Sequence, residues 1–442
     1  MCTVGGTAPK EERPRGPDPV LVRTFREVMG AGGCRNPVHL LAETVDTETG
    51  EILTTDLRIA CKDRRSVLCP SCAAVYKADA WFLVTAGLAG GKGMPETLAQ
   101  HPRLFLTLTA PSFGMVHTTS SDGGCHTNKR TACPHGQPRT CTIRHEPSDD
   151  RLGSPLCEAC FDWEGAVLWN AAASRLWNRT IDRVRRVLAA EVGGITAFRR
   201  QASLQYLRVA EFQRRGLVHL HAVIRADGPA PTDPPPAWLT VELLERAVRG
   251  AVASTSVPTG AGTTATWGKQ LDLVDLGSTE GDAARVAGYV AKYATKTTDG
   301  DFGLARRFRT RREVALARTT RHLHLLADCA WDLGGRPELE ELRLRAHAHT
   351  LGFTGQLVTK SRGFSTTFGA LRAVRATFAA AEHDPAPIDA SYAYVDRGYS
   401  DPRAETLTEL LVGIQAEGRK ARRLRRLEQQ AEAESGPPPT VG

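Results

Sequence analysis

A chain of 442 residues can bury a large core and has room for two or three domains. With 41% hydrophobic and 24% charged residues it has the balance of a folded globular protein, which excludes a disordered or fibrous chain. The net charge of +8 suits a polyanionic partner without saying where that partner would bind.

The longest apolar stretch, AWFLVTAGLAGG at 80–91, is interrupted by glycines and too short to cross a bilayer, and no secretory h-region opens the chain. The expected location is therefore cytoplasmic, with no membrane partner. Eleven cysteines in such a chain point to metal rather than to disulfides, and ten of them fall within the first 160 residues. Cys69-Pro-Ser-Cys72 is a two-residue-spaced knuckle, and with Cys34 and Cys61 upstream it can close one tetrahedral Zn²⁺ site. The alternative is a set of unrelated buried cysteines.

Next in the chain, LFLTLT (104–109) reads as a strand stopped by Pro111 and Gly114. Residues 122–160 have the composition of an insertion held by metal instead of a core. Cys125, Cys133, Cys141, Cys157 and Cys160 compete there with His135 and His145 for about four places on a second structural zinc, so its ligand set stays open. Cys2 and Cys329 are expected to be free. Residues 166–194 carry apolar residues at helical spacing and stop at paired glycines. Two strands follow, SLQYLRVAEF and LVHLHAVIR, separated by QRRG; then come a proline-rich loop at 226–238, a helix at 239–252, a strand at 269–276 and a helix at 281–296. Arginines crowd residues 306–321 and 418–430; the second run reads as a basic helix with a frayed tail, and the plain reading of both is a solvated helix face. This order implies an antiparallel sheet backed by helices.

Within LVHLHAVIR, residues two apart share a strand face, so His219 and His221 project together while Val218 and Leu220 point the other way. A three-residue turn of Arg214, Arg215 and left-handed Gly216 would pair Gln213 with Leu217 and set Glu211 opposite His219; a two-residue turn would spoil this. Two imidazoles and a carboxylate leave coordination positions open and suit Mg²⁺ or Mn²⁺. An isolated His-x-His is commonly mere polar decoration. The chain holds two such pairs outside a strand pattern, His322/His324 and His347/His349.

In GYVAKYATK, Tyr289 and Tyr293 lie four apart on an expected helix and share a face, as do Lys292 and Lys296. A phenol with a pKa of about 10 attacks phosphate only with help from an ammonium or a metal ion. The bland alternative is a helix with two half-buried tyrosines.

The FLTLT strand, GLVHLHAVIR and YVAKYATK together resemble the three motifs of HUH endonucleases, metal-dependent enzymes that nick single-stranded DNA. The likeness is closer to the RepSA-like replication initiators of actinobacterial plasmids and integrative conjugative elements. It runs through CRNPVHL, CPSCAAVYKADAW, LTLTAPSFGMVH, PLCEACFDWEGAVLWN and LGFTGQLVTKSRGFSTTFGALR, and the tandem tyrosines also resemble the initiator of small isometric phages. The resemblance implies an α+β fold: an HUH endonuclease core, an antiparallel sheet flanked by helices, with a Cys-rich zinc-binding N-terminal region and insertion and a helical basic C-terminal region. The expected division is a zinc-binding region at 1–100, the endonuclease domain at 101–300 with its insertion at about 115–165, a basic DNA-contacting region at 301–400, and a basic helix with a disordered tail at 401–442.

Carried over by position, the resemblance makes His219 and His221 ligands of the catalytic ion, with Glu211 a third. It makes Tyr289 and Tyr293 the nucleophiles of rolling-circle initiation through a 5′-phosphotyrosine, leaving a 3′-hydroxyl primer, and gives Lys292 and Lys296 an electrostatic role. Lys360, Arg362 and Arg372, in a stretch mixing basic, hydroxyl and aromatic residues, are candidates for contacts with DNA. No GxxxxGK[ST] loop is present, so a host helicase would unwind the duplex and a host polymerase extend the primer. Two rivals share these motifs: a two-tyrosine HUH transposase, and a non-catalytic zinc-stabilised DNA-binding regulator.

Overall fold

The computed structural model describes residues 18–46, 49–119, 124–127, 131–277, 285, 286, 288, 289, 304, 306–380 and 388–434. The chain forms two compact units, residues 1–74 with 383–442 and residues 75–382. This division falls elsewhere than at 100, 300 and 400. The reason is a pairing distant in sequence: strand β1 (Val38–Asp46) lies between β2 (Ile52–Ile59) and β10 (Ile388–Arg397) in an antiparallel sheet of order β10-β1-β2.

In that first unit, α1 (Pro19–Gly30) starts at Asp18, whose carboxylate accepts the Val20 N–H, with proline in the first turn where no N–H is needed. Charged side chains tie the elements together. Arg58 donates to Glu27 of α1 at 3.0 Å, and His39 of β1 sits between the carboxylates of Asp56 and Asp396 at 2.9 and 3.0 Å. The helix α9 (Arg403–Glu434) packs on α1 and contains the second arginine run.

Helix α2 (Pro70–Ala89) leads into the second unit, whose five-stranded antiparallel sheet has the order β8-β3-β5-β4-β9. The strands are β3 (Arg103–Leu108), β4 (Ser203–Phe212), β5 (Val218–Asp227), β8 (Leu271–Asp275) and β9 (Val358–Lys360). Each alternates two faces, one residue up and the next down. Leu104, Leu106, Leu220 and Ile224 point into the main core with α3 (Trp163–Ala190) and α5 (Val241–Ser254), whereas Leu207, Val209 and Val223 join Leu83, Leu88 and Phe364 on the opposite face. A fully buried leucine of this kind contributes about 1.5–3 kcal/mol.

Helix α3 begins three residues before the sequence suggested, at Trp163, because Asp162 accepts the Gly165 N–H as its cap. It stops before Gly193 and Gly194, both at positive φ (82° and 117°). Between α5 and β8 lies a small hairpin, β6 (Ser256–Pro258) with β7 (Thr264–Thr266), that periodicity did not reveal. The arginine-rich run 306–321 holds only one short helix, α6 (Arg311–Ala315), before α7 (Arg321–Leu333). A further helix, α8 (Phe368–Ala380), follows β9.

At one end of β5 an ion pair is wholly buried. Arg225 and Asp227 are both 0% exposed, and Arg225 donates to both Asp227 oxygens at 2.7 and 2.8 Å. The remaining guanidinium hydrogens go to the carbonyls of Gly87, Phe364 and Gly363, so this buried charge is matched on every side. No described helix is long and apolar enough to cross a membrane.

Candidate functional site

The turn between β4 and β5 fixes the site. Gln213 and Leu217 are joined by a 2.9 Å backbone hydrogen bond, Gly216 has φ +73°, and Glu211 faces His219 across the hairpin. The three-residue turn is therefore the one formed. Glycine is required at 216, since a Cβ there would run into the Leu326 side chain.

His219 and His221 share the sheet face opposite the main core, their rings stacked with centroids 4.6 Å apart. The His221 ring, 3% exposed, is held on both nitrogens: Nδ1 lies 3.2 Å from the Thr107 hydroxyl of β3 and Nε2 3.3 Å from a Glu211 oxygen. His219 is held on one side only. Its Nδ1 lies 3.0 Å from the Gln213 amide, which in turn accepts from Arg215, while its buried Nε2 has no hydrogen-bond partner among the described residues. Burial, then the neighbouring His221, pushes the His219 pKa down to about 4, so the ring is neutral near pH 7.

Two imidazoles and a carboxylate are donor types that a divalent ion accepts with positions left open. Two donors at right angles on an ion, each about 2.1 Å away, stand about 3 Å apart, near the His221–Glu211 separation. An orphaned buried nitrogen is costly unless something occupies it. As placed, Gln213 Nε2 donates to Nδ1, which leaves the ring proton on Nε2; for Nε2 to offer a lone pair the proton must move to Nδ1 and the Gln213 amide turn to accept it, giving up the contact its oxygen makes with Arg215.

Tyr289 stands over the same place. It is 41% exposed, and its ring meets His221 edge-on at 5.8 Å and Phe105 of β3 at 5.4 Å. The structure thus brings together the three sequence segments that suggested chemistry. Tyr293, Lys292 and Lys296 lie outside the described residues.

Among the described residues, three groups of metal-binding side chains bring all their ligand atoms within 4.8 Å of one another, and each contains cysteine. The His219, His221 and Glu211 set is looser and is not one of them. The first group is Cys34, Cys61, Cys69 and Cys72, the four residues expected. Its sulfurs approach at 3.7 Å, close to the roughly 3.8 Å edge of a tetrahedron with zinc–sulfur bonds of about 2.3 Å.

The seven candidates expected to share a single second site fall into two groups, one of them joined by His117. Cys125, Cys141 and His145 gather with His117, while Cys133, His135, Cys157 and Cys160 form a separate group. His117 escaped notice because it follows β3 outside any cysteine spacing. Its Nδ1 is 3.0 Å from His145 Nε2, and the Asp149 carboxylate holds the far nitrogen of His145 at 2.7 Å, the carboxylate–histidine support that orients metal ligands. Burial opposes ionisation of Cys133, but the backbone N–H groups of His135 and Gln137 with the Cys157 and Cys160 sulfurs bring its thiol down to about 6. Cys329 is pushed up to about 12, by burial first, and belongs to none of the groups. Cys2 lies outside the described residues.

The insertion is seated against the β4–β5 turn. Arg214 donates to the Pro147 carbonyl at 2.6 Å, and Gly153, at φ +85°, lies so close to the Arg214 backbone that any Cβ would overlap it. His322 caps the other side of the turn, donating from Nε2 to the Arg215 carbonyl at 3.0 Å. It and His324 lie on a helix, and His347 and His349 in a 3-10 segment, so neither pair shares a strand face. Lys360, on β9, turns its ammonium onto the carbonyls of Ser361, Arg362 and Ser365, the last at 2.8 Å. Arg362 is exposed, as is Arg372, which lies over the Phe368 ring.

Comparison with known proteins agrees with the resemblance in these motifs. Residues 22–412 match the family described as RepSA, replication initiator protein, pSAM2. A protein from Streptomyces ambofaciens named replication initiator protein is 41% identical over 398 residues, covering 83% of this chain and 82% of that one. No solved structure matches the chain.

Proposed function

Because the chain belongs to the RepSA family of replication initiator proteins, we propose that it starts replication by nicking one strand of its origin and keeping the cut end on a tyrosine. The observation that carries this reading is the convergence of Thr107, Glu211, His219, His221 and Tyr289 on one end of a sheet face. It sets a buried imidazole nitrogen with no hydrogen-bond partner among the described residues beside an exposed phenol.

His219, His221 and Glu211 would hold a Mg²⁺ or Mn²⁺ ion, which when bound supplies positive charge to the scissile phosphate. The phenol oxygen of Tyr289 or Tyr293 attacks phosphorus. The new tyrosine–phosphate bond replaces the bond to the 3′ oxygen, the phenol gives up its proton, and the 3′ oxygen leaves as a hydroxyl that primes synthesis. Lys292 and Lys296 stand in the same segment to stabilise the charge that moves. Two tyrosines allow a second attack after one round of copying, so the phosphodiester energy is conserved throughout. Host helicase and polymerase complete the reaction.

The three cysteine-containing groups hold structural zinc in this reading, since closed thiolate-rich sets leave no place for substrate. The test is incubation of purified protein with single-stranded origin DNA, with and without Mn²⁺. Cleavage that needs the ion and is lost in His219→Ala supports the nickase; intact DNA despite tight binding makes the protein a zinc-stabilised regulator.

A further inference from the structure

We propose that an arginine-lined cleft at the far end of the β4–β5 hairpin from Tyr289 grips the sugar–phosphate backbone of duplex DNA flanking the cut; the assignment to origin DNA rests on the initiator reading. The cleft encloses about 870 Å³ and receives Arg185 and Arg186 from α3, Arg199 from α4 (Ile195–Gln201) and Arg362 from the loop after β9. One carboxylate, Asp182, shares it and is taken by Arg185 at 2.9 Å. Arg186, Arg199 and Arg362 are exposed and form no ion pair among the described residues. Like charges gathered without a counterion favour an incoming anion, and guanidinium forks match phosphate oxygens better than ammonium groups do.

The arginines are also mounted on rigid supports. The Ser361 hydroxyl donates to Gln205 at 2.8 Å and accepts from the Tyr206 N–H at 2.9 Å, which pins the loop bearing Arg362 to β4. Gly363 presses so tightly on Pro231 that a Cβ would collide with it. Arg199 follows Phe198, which is anchored in the core at 2% exposure. With Phe198 buried, no exposed aromatic ring lines the cleft, so it lacks the stacking platforms of single-strand binding sites and suits backbone contacts instead.

Its position sets a distance. Ser203, in the cleft wall, pairs with Asp227, and Glu211 pairs with His219, eight residues further along β4. At about 3.4 Å per residue the two ends are roughly 27 Å apart.

The experiment measures binding of the full chain to an origin duplex of about 30 base pairs, three helical turns, as salt is raised. The variant Arg186→Ala/Arg199→Ala/Arg362→Ala should lower the slope of log K against log salt by nearly three and weaken binding roughly 100-fold at 0.1 M salt. It should still form the wild-type amount of covalent adduct with a single strand trimmed to a few nucleotides either side of the cut. Arg199→Glu alone should weaken duplex binding further than Arg199→Ala. An unchanged slope and affinity overturns the proposal. Equal losses on the trimmed single strand also overturn it, because the arginines would then serve the cutting end. Should wild type form no adduct while the duplex losses appear as stated, the nickase reading falls and the cleft stands.

Discussion

The cysteine groups and the histidine pair both carry side chains of the metal-ligand type, yet the fold treats them in opposite ways. Cys34, Cys61, Cys69 and Cys72 close on one another with sulfurs 3.7 Å apart, and the two groups of the insertion close in the same manner. His219 and His221 stack side by side beneath an exposed tyrosine, and one of their nitrogens has no partner. Closed sets stabilise a chain segment that has little core of its own; an open set leaves donors that an incoming ion can use. On the proposed reading, the difference separates what holds the protein together from what it acts with.

Stripping the closed sets should have the largest effect. Structural zinc in small modules contributes about 10 kcal/mol or more to folding, so chelation should unfold the insertion at 115–162, read by lost near-ultraviolet dichroism and by proteolysis. Metal analysis should find three zinc ions per chain, falling to two in Cys141→Ser; one or two in the wild type would show that the pair of insertion sites is not filled.

In the buried ion pair at the other end of β5, every guanidinium nitrogen of Arg225 has a partner. Asp227→Asn should cost about 3–5 kcal/mol in denaturant unfolding, because Arg225 would be left with an unmatched buried charge. At the open end the outcome should invert. His219→Ala should reduce nicking on the order of 10²–10³-fold, yet leave the stability of metal-free protein unchanged or slightly raised, since it removes an unsatisfied buried nitrogen. A large loss of stability instead would make His219 a core residue.

Gly153→Ala should act between the two regions, costing about 2 kcal/mol through its positive φ and its overlap with Arg214. The smallest effect is in pH. His219 titrates near 4 in the folded chain against an ordinary 6.5. Between those values the unfolded chain takes up a proton that the folded chain refuses, so metal-free protein is fully stabilised above 6.5 and loses stability as pH falls toward 4. His219→Ala should flatten that part of the stability profile.

The hairpin was legible in the sequence because its information is local: strand alternation sets the faces, and Gly216 selects the turn that aligns Glu211 with His219. The first cysteine group was legible because a CxxC knuckle leaves few partners. The insertion was not, because ligand choice there depends on chain crossings such as His126 with Cys141, and His117 carries no spacing signal. Nor was the division into units. Strand β10 finds β1 across more than 340 residues, a pairing that no local periodicity announces. Lys360 stands out in the sequence for the basic, hydroxyl and aromatic mix of its stretch, and only the three carbonyls around its ammonium reveal its attachment to the loop that carries Arg362.

The central claim is a tyrosine nucleophile, and peptide mapping of the trapped adduct addresses it most directly. Trypsin cuts after Arg285, Lys292 and Lys296, which places Tyr289 in VAGYVAK and Tyr293 in YATK, two separable peptides. Protein reacted with labelled single-stranded origin DNA and Mn²⁺ should carry the nucleotide on one or both of these peptides and nowhere else, and none without the ion. A nucleotide found on any other residue, or no modified peptide after complete DNA binding, would contradict the account.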